Sequence, residues 1–222
     1  HSLRRRQRQM CIRDSLQRVL MLALAAIMIT ACSKSGLKDL TGVKMDTESA
    51  VEKAKSIAAD NIKPDQWKII SVSWTEGMGR DELSNNVSIF TYEMVDKDGR
   101  VWNQSFMSDL GWKATELTDA GWEKWHKNLN AKDVPAIDMA NLNPAEVMKD
   151  IEAAKALIPA EFEFKSMDSY TMNTYDDPKV SIKLNVIEKG KETVSNAGQT
   201  STVFYELDFR KNAKGKMELV KP

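Results

Sequence analysis

The sequence predicts an α+β protein made of two repeated units, each a helix packed on a three- to four-stranded antiparallel sheet. Three observations carry this expectation. A segment with apolar residues at helical spacing is followed by runs that alternate with period two. The same order recurs after about 95 residues, and turn sequences ending in Gly separate several of the strands. The chain has 222 residues. At roughly 150 residues per domain it has room for one large domain or two small ones.

The first unit is placed at 46–130. Asp46 or Thr47 can cap a helix over 48–61, in which Val51, Ala54, Ile57 and Ala58 recur on one face and Glu48 meets the positive end of the dipole. Pro64 closes that segment. Residues 67–75 alternate, with Ile70, Val72 and Trp74 expected on one face of a half-buried strand. A second strand is expected over 87–95. It leads through the turn Asp96-Lys97-Asp98-Gly99 into a third over 101–107, where Trp102, Gln104 and Phe106 share a face. A short fourth strand at 112–117 and a linking helix over 118–129 complete the unit.

The second unit, 143–222, opens on Asn143-Pro144-Ala145-Glu146, which combines a cap, a Pro at the first helical position and an acidic third residue. Val147, Ile151, Ala154 and Ile158 continue that helix, and Pro159 ends it. Strands are expected over 162–172, 180–187, 202–209 and 216–220, the last two joined by the turn Asn212-Ala213-Lys214-Gly215. Val180, Ile182, Leu184 and Val186 alternate cleanly, as do Val203, Tyr205, Leu207 and Phe209, the pattern of a sheet covered on one side. In element order, 46–117 and 143–220 resemble PepSY-type and β-lactamase-inhibitor-protein-like modules, which occur in tandem in secreted bacterial proteins. The alternative arrangement is a single continuous sheet built from both halves.

Lys and Arg number 32, against 32 Asp and Glu, but the charges are unevenly spread. Residues 1–31 hold six Arg and one Asp, leaving 26 basic against 31 acidic groups in the remainder. A mildly acidic body lacks the basic excess that a nucleic-acid binder uses to displace counterions from phosphates. Residues 1–15 are Arg-rich and lack the layout of a natural leader; they resemble a translated sequencing-adapter fragment. Residues 16–31 have the layout of a secretory signal, an apolar core ending in small side chains. The run 20–29 is too short to span a bilayer, which takes about 20 apolar residues. Ile29-Thr30-Ala31-Cys32 resembles the bacterial lipobox. The resemblance implies diacylglycerol on the Cys32 sulfur, cleavage just before Cys32 and acylation of the new amino terminus, giving anchoring by several chains. Ser33 resembles the pattern associated with sorting to the outer membrane. Residues 32–45 then read as a lipidated tether.

Chemistry-bearing clusters are sparse. Two Cys and two His leave too few soft ligands for a structural zinc site, and no metal or cofactor is expected. His126 is the only His beyond the signal, with no nucleophile motif to serve, and it reads as a solvated helix residue. Asp96-Lys97-Asp98-Gly99 departs from a calcium loop at Arg100 and reads as a turn; Asp176-Asp177-Pro178 reads as a loop breaker. Glu161 and Glu163 alternate with Phe162 and Phe164 and so fall on a solvent face rather than in a glycosidase-type pair. No catalytic residue is assigned. All six Trp lie between 67 and 125. Trp122, Trp125 and Leu129 share one face of the expected linking helix, with Trp112 just before it. They read either as packing of that helix on the sheet or as an aromatic surface for a protein, peptide or glycan partner.

The expected protein is therefore a lipid-anchored component of the bacterial cell envelope, on the periplasmic face of the outer membrane. It is expected to act as a non-enzymatic binding or interaction module, inhibitor-like or peptide-binding. The rivals are a carboxylate-based hydrolase acting on glycan and an assembly factor for envelope machinery.

Overall fold

A computed structural model describes residues 5–7, 42–196 and 199–220. The apolar run 16–31, Cys32 and the tether up to residue 41 lie outside the described residues. In chain order the elements begin with β1 (Arg5–Gln7) and α1 (Glu48–Asn61). An antiparallel meander of β2 (Lys68–Glu76), β3 (Val87–Val95) and β4 (Val101–Met107) follows. The two-residue strands β5 (Lys113–Ala114) and β6 (Thr118–Asp119) both pair with β4, and α2 (Trp122–Trp125) is a single helical turn. The second half contains α3 (Pro144–Lys155), β7 (Phe162–Asn173), β8 (Val180–Glu188), β9 (Thr193–Asn196), β10 (Gln199–Lys211) and β11 (Met217–Leu219).

The helix starts follow local chemistry. Asn143 caps α3, its side-chain oxygen accepting from the Ala145 N–H at 3.0 Å, with Pro144 at the first helical position. Thr47 precedes α1 but makes no side-chain cap bond, and its hydroxyl meets the Lys44 carbonyl instead. Asp46, the other capping candidate, is held 2.7 Å from the Lys155 ammonium.

The class is α+β with a multi-strand antiparallel sheet. The strands form one sheet in the order β1-β10-β8-β7-β2-β3-β4-β5, with β6 on β4 and with β9 and β11 on β10. The halves meet where β2 pairs antiparallel with β7, Ser71–Thr75 running against Asn173–Ser169. At this seam Trp74 lies opposite Tyr170, their rings stacked at 4.2 Å and 12°. Both helices lie on one face of the sheet, in contact with each other. The core beneath them mixes the halves, with Ala54 and Ile151 from the helices and Val72, Phe90, Ile182 and Leu184 from the strands all fully buried.

Three local expectations are corrected. Ile70 does not share a face with Val72 and Trp74. Ile69 opposes Met94 and Ser71 opposes Glu93, so Ile70 is the extra residue of a bulge and turns into a second, smaller apolar cluster on the opposite face. The linking helix over 118–129 reduces to β6 and the one turn of α2. Thr118 and Asp119 are drawn into pairing with β4, Gly121 takes φ 64°, and the turn ends at His126. The fourth strand at 112–117 is only Lys113–Ala114; Trp112 sits outside it at φ 62°. The helix-free face is also less open than one-sided alternation predicts, because residues 120–134 cover one end of it with Trp122, Ala131 and Val134 packed on Ile70, Val95 and Val101. Strand β9 lies outside the strands that the sequence predicts.

One sheet and one mixed core predict a single cooperative unfolding event. In urea, Trp fluorescence reports the first half, where all six Trp lie. It should lose signal at the same midpoint as amide protection in β8 and β10. Two separated midpoints would show instead that the halves fold independently.

Candidate functional site

The face of the sheet away from the helices is organised by strand register. Ser105 lies opposite Thr91, Thr91 opposite Ser73, Ser73 opposite Thr171, and Thr171 opposite Ser181, which faces Arg210. Each hydroxyl residue of this row is flanked along its strand by core residues such as Val72, Trp74, Phe90 and Ile182, which places the row on the outer face. The Thr91 and Ser105 hydroxyls bond each other at 2.9 Å. A neighbouring row carries Glu93 between Asn103 and Ser71. On the other side lie Ile89, Thr75, Ser169, Lys183 and Asp208 in register, with Lys183 3.6 Å from Asp208. Short side chains crossing five strands leave a nearly flat, polar platform.

One end of this platform is closed by the connection between the halves. Trp122 is 7% exposed, and its indole N–H donates to the Leu129 carbonyl at 2.8 Å. His126 lies over it at 4.2 Å, and Tyr175 meets both rings edge-on at 4.8 and 5.1 Å. The Tyr175 hydroxyl bonds the Glu93 carboxylate, and His126 Nδ1 is 3.7 Å from Asp176 Oδ1. Burial, reinforced by Glu93, pushes the Tyr175 hydroxyl above its ordinary range, so it stays a donor. Lys68 fastens the same connection, its ammonium donating to the carbonyls of Ala131, Lys132 and Val134 at 3.0, 2.7 and 2.8 Å. His126 is thus a packed residue of this clasp rather than a solvated helix residue.

The three Trp of the aromatic reading are not gathered into one surface. Trp122 is packed, whereas Trp125 is 71% exposed with Lys124 over its ring. The reason is the single turn of α2, which cannot carry a shared face out to Leu129. Trp112 lies at the helix-covered core, with its ring 5.4 Å from that of Phe90. Cys32, the expected lipidation residue, is outside the described residues. Comparison with known protein families, with curated proteins and with solved structures finds no match.

A buried polar network, invisible in the sequence, runs across the seam. Asp46 accepts from Lys155 at 2.7 Å and from the Asn85 amide at 2.6 Å. The Asn85 backbone N–H donates to Glu76, and its side-chain oxygen accepts from the Met167 N–H at 3.0 Å. Glu76 also accepts from Ser166 at 2.8 Å and from Asn185 at 3.2 Å. Burial pushes the Glu76 carboxyl above its usual range despite these donors. For Asp46 burial acts in the same direction, but the bonds from Lys155 and Asn85 and the Lys155 charge outweigh it and hold the carboxyl below its usual range. No group of three or more potential metal ligands is found among the described residues.

The platform's Ser and Thr could have been noticed in the sequence as the alternate positions of each strand, Ser71, Ser73 and Thr75 above all. Tyr175 and Lys68 carry no comparable signal, since their partners are 82 and 63 to 66 residues away.

Two measurements follow from this geometry. Trp122→Ala should cost about 3 kcal/mol in urea denaturation, while Trp125→Ala should stay within about 0.5 kcal/mol of the parent. Asp46→Asn should cost about 1–2 kcal/mol at neutral pH. Because the folded-state pKa of Asp46 is depressed, its contribution is present above the ordinary carboxylate range and is lost as pH falls through the folded value. The gap between parent and Asp46→Asn should therefore narrow on acidification; a gap independent of pH would assign its cost to packing.

Proposed function

We propose that the protein is a lipid-anchored, non-enzymatic binding module of the bacterial cell envelope that presents the helix-free face of its sheet to a protein or peptide partner. The row Ser105, Thr91, Ser73, Thr171 and Ser181 carries this reading. Five strands hold short hydroxyl side chains in register on an outward face, a rigid surface able to both donate and accept hydrogen bonds with little side-chain entropy to lose. The clasp at Trp122, His126 and Tyr175 bounds that surface at one end. The only carboxylate raised above its usual range among the described residues, Glu76, is 6% exposed and committed to Asn85, Ser166 and Asn185, which favours binding over acid–base work.

The anchor reading rests on the lipobox-like Ile29-Thr30-Ala31-Cys32, and the mildly acidic body leaves membrane residence to that anchor. The two halves, each a helix followed by an antiparallel meander, are proposed to be repeats fused through β2 and β7. Localisation to the periplasmic face of the outer membrane rests on Ser33.

Both parts of the proposal can be tested in cells with the full chain. A photo-crosslinking residue at Thr171 should give a discrete adduct that Ser73→Arg abolishes, while the same residue at Glu52, on the exposed side of α1, gives none. Equal adducts from both positions, or none from Thr171, would sink the platform reading. Cys32→Ser should leave the precursor uncleaved and unlabelled by fatty acid, and unchanged labelling would defeat the anchor.

A further inference from the structure

The outer edge of β10 is occupied in two places. Towards its end β11 pairs with Phe209–Lys211, and the Asp208 carbonyl accepts from the Val220 N–H at 2.8 Å. Further back, Arg5, Arg6 and Gln7 of β1 lie antiparallel to Tyr205, Phe204 and Val203. The direction of each backbone group follows from alternation along the strand. The Val203 N–H donates to the Glu192 carbonyl at 3.0 Å, on the β9 side, so Thr202 and Phe204 turn their N–H and C=O groups to the outer edge, as Asp208 does. Phe204 and Arg6 are thus the hydrogen-bonded pair of the β1 contact.

Backbone pairing, rather than side-chain fit, explains why β1 sits there, because Arg-Arg-Gln has no apolar alternation. The β10 stretch beside it, Ser-Thr-Val-Phe-Tyr over 201–205, has high strand propensity and contains neither the Lys nor the Pro that blunts an exposed edge. The opposite end of the sheet is treated differently. There β4 is overlaid by β5 and β6, two residues each, with Lys113 and Asp119 exposed. The β10 edge is therefore built to be covered by a strand. Cleavage before Cys32, the part of the anchor reading on which this step rests, removes β1 from the mature chain.

We propose that the β10 edge at Thr202–Tyr205 accepts one short extended segment of a partner protein, added antiparallel as a further strand, and that β1 fills the edge until cleavage. The side chains beside it define the segment. Tyr205 faces the helix-covered core and meets the Phe162 ring at 5.3 Å, and Val203 shares its face by alternation. Partner residues opposite these two fall on the same face, so a segment with apolar side chains at alternate positions extends the core. A second copy of β10 fits less well, because two copies centred on this stretch set each β11 against the other's β9–β10 hairpin. The site is the rim of the sheet, separate from the flat hydroxyl platform.

The test uses the full chain made in cells and its lipidated product, held in detergent, with a fluorescein-labelled peptide of residues 2–10 as the probe. Fluorescence anisotropy should show saturation of the mature product at or below about 1 mM. N-methylation of the peptide at Arg6, whose N–H meets Phe204, should weaken binding by about tenfold. N-methylation at Arg5, whose N–H points away from the edge, should leave it unchanged. Arg5→Val with Gln7→Val in the peptide should tighten it several-fold. Thr202→Pro in the protein removes an outward N–H that the β9 ladder does not use, and should weaken binding with an unaltered circular dichroism spectrum. The uncleaved Cys32→Ser chain should bind the peptide about tenfold more weakly, because its own β1 competes at an effective concentration of order millimolar. Adding Arg6→Pro to that chain should restore binding. Mass spectrometry of the parent separates the two readings: retention of residues 1–31 defeats cleavage, and the edge is then judged on the Arg6→Pro chain. The inference is overturned by no saturation up to about 5 mM, by equal binding of the two N-methylated peptides, or by a Val peptide no tighter than the original. Concentration-dependent dimers that Thr202→Pro dissolves would also overturn it, by giving the edge to a second copy.

Discussion

The pairing of β2 with β7 is the contact on which the rest of the architecture depends. It joins the first strand of each half, and the stacked Trp74 and Tyr170 side chains fill its core side. With those strands antiparallel and adjacent, the remaining strands of each half extend outward in opposite directions, and both helices arrive on the same face in mutual contact. Separate sheets would leave the inner edges of β2 and β7 with unpaired backbone groups, an invitation to mispairing. Joining them satisfies those groups and doubles the width over which one core is shared. Further bonds tie the first helix and its approach to the same region: the Trp74 indole N–H donates to the Met45 carbonyl at 3.2 Å, and the Tyr92 hydroxyl donates to the Ala54 carbonyl at 2.7 Å.

Placing both helices on one face has a consequence for the other. That face receives no helix, so it must be either polar or covered by irregular chain, and the protein uses both solutions. Across the centre, Ser and Thr at alternate positions make a surface that needs no cover. At one end the bulge at Ile70 turns an apolar side chain outward beside Val95 and Val101, and the connection between the halves folds down to bury it. Trp122 supplies the apolar area for that cover. Lys68, Tyr175 and Thr174 hold it in place, the Thr174 hydroxyl donating to the Pro135 carbonyl at 2.6 Å. The clasp is therefore a packing answer to a bulge, and it also sets the boundary of the open platform.

Much of this was legible residue by residue, for identifiable reasons. The α1 boundaries follow from apolar spacing, and the α3 start follows from Asn143 and Pro144, because a cap is chemistry between neighbours in sequence. The faces of β8 and β10 follow from alternation, since both strands run through their core segments without a bulge relative to each other. The failures share a cause as well. At Ile70 a single extra residue reverses the face, and nothing in Lys-Ile-Ile-Ser-Val announces where it falls. Over 118–129 a helical pattern of apolar residues was present, yet pairing of Thr118 and Asp119 with β4 took the first turn away.

The sequence by itself determined the α+β class, the order and approximate extent of most elements, the turn at Asp96–Gly99 and the side of each regular strand that is apolar. These are local properties: periodicity, capping and turn chemistry act between residues a few positions apart. Only the tertiary structure decided that the halves form one sheet, that the helices sit together, that Trp122 is buried while Trp125 is exposed, and that Glu76 and Asp46 enter one polar network. Those outcomes depend on which strand edges meet and on what then remains to be covered, and contacts between residues some 30 to 110 positions apart settle both.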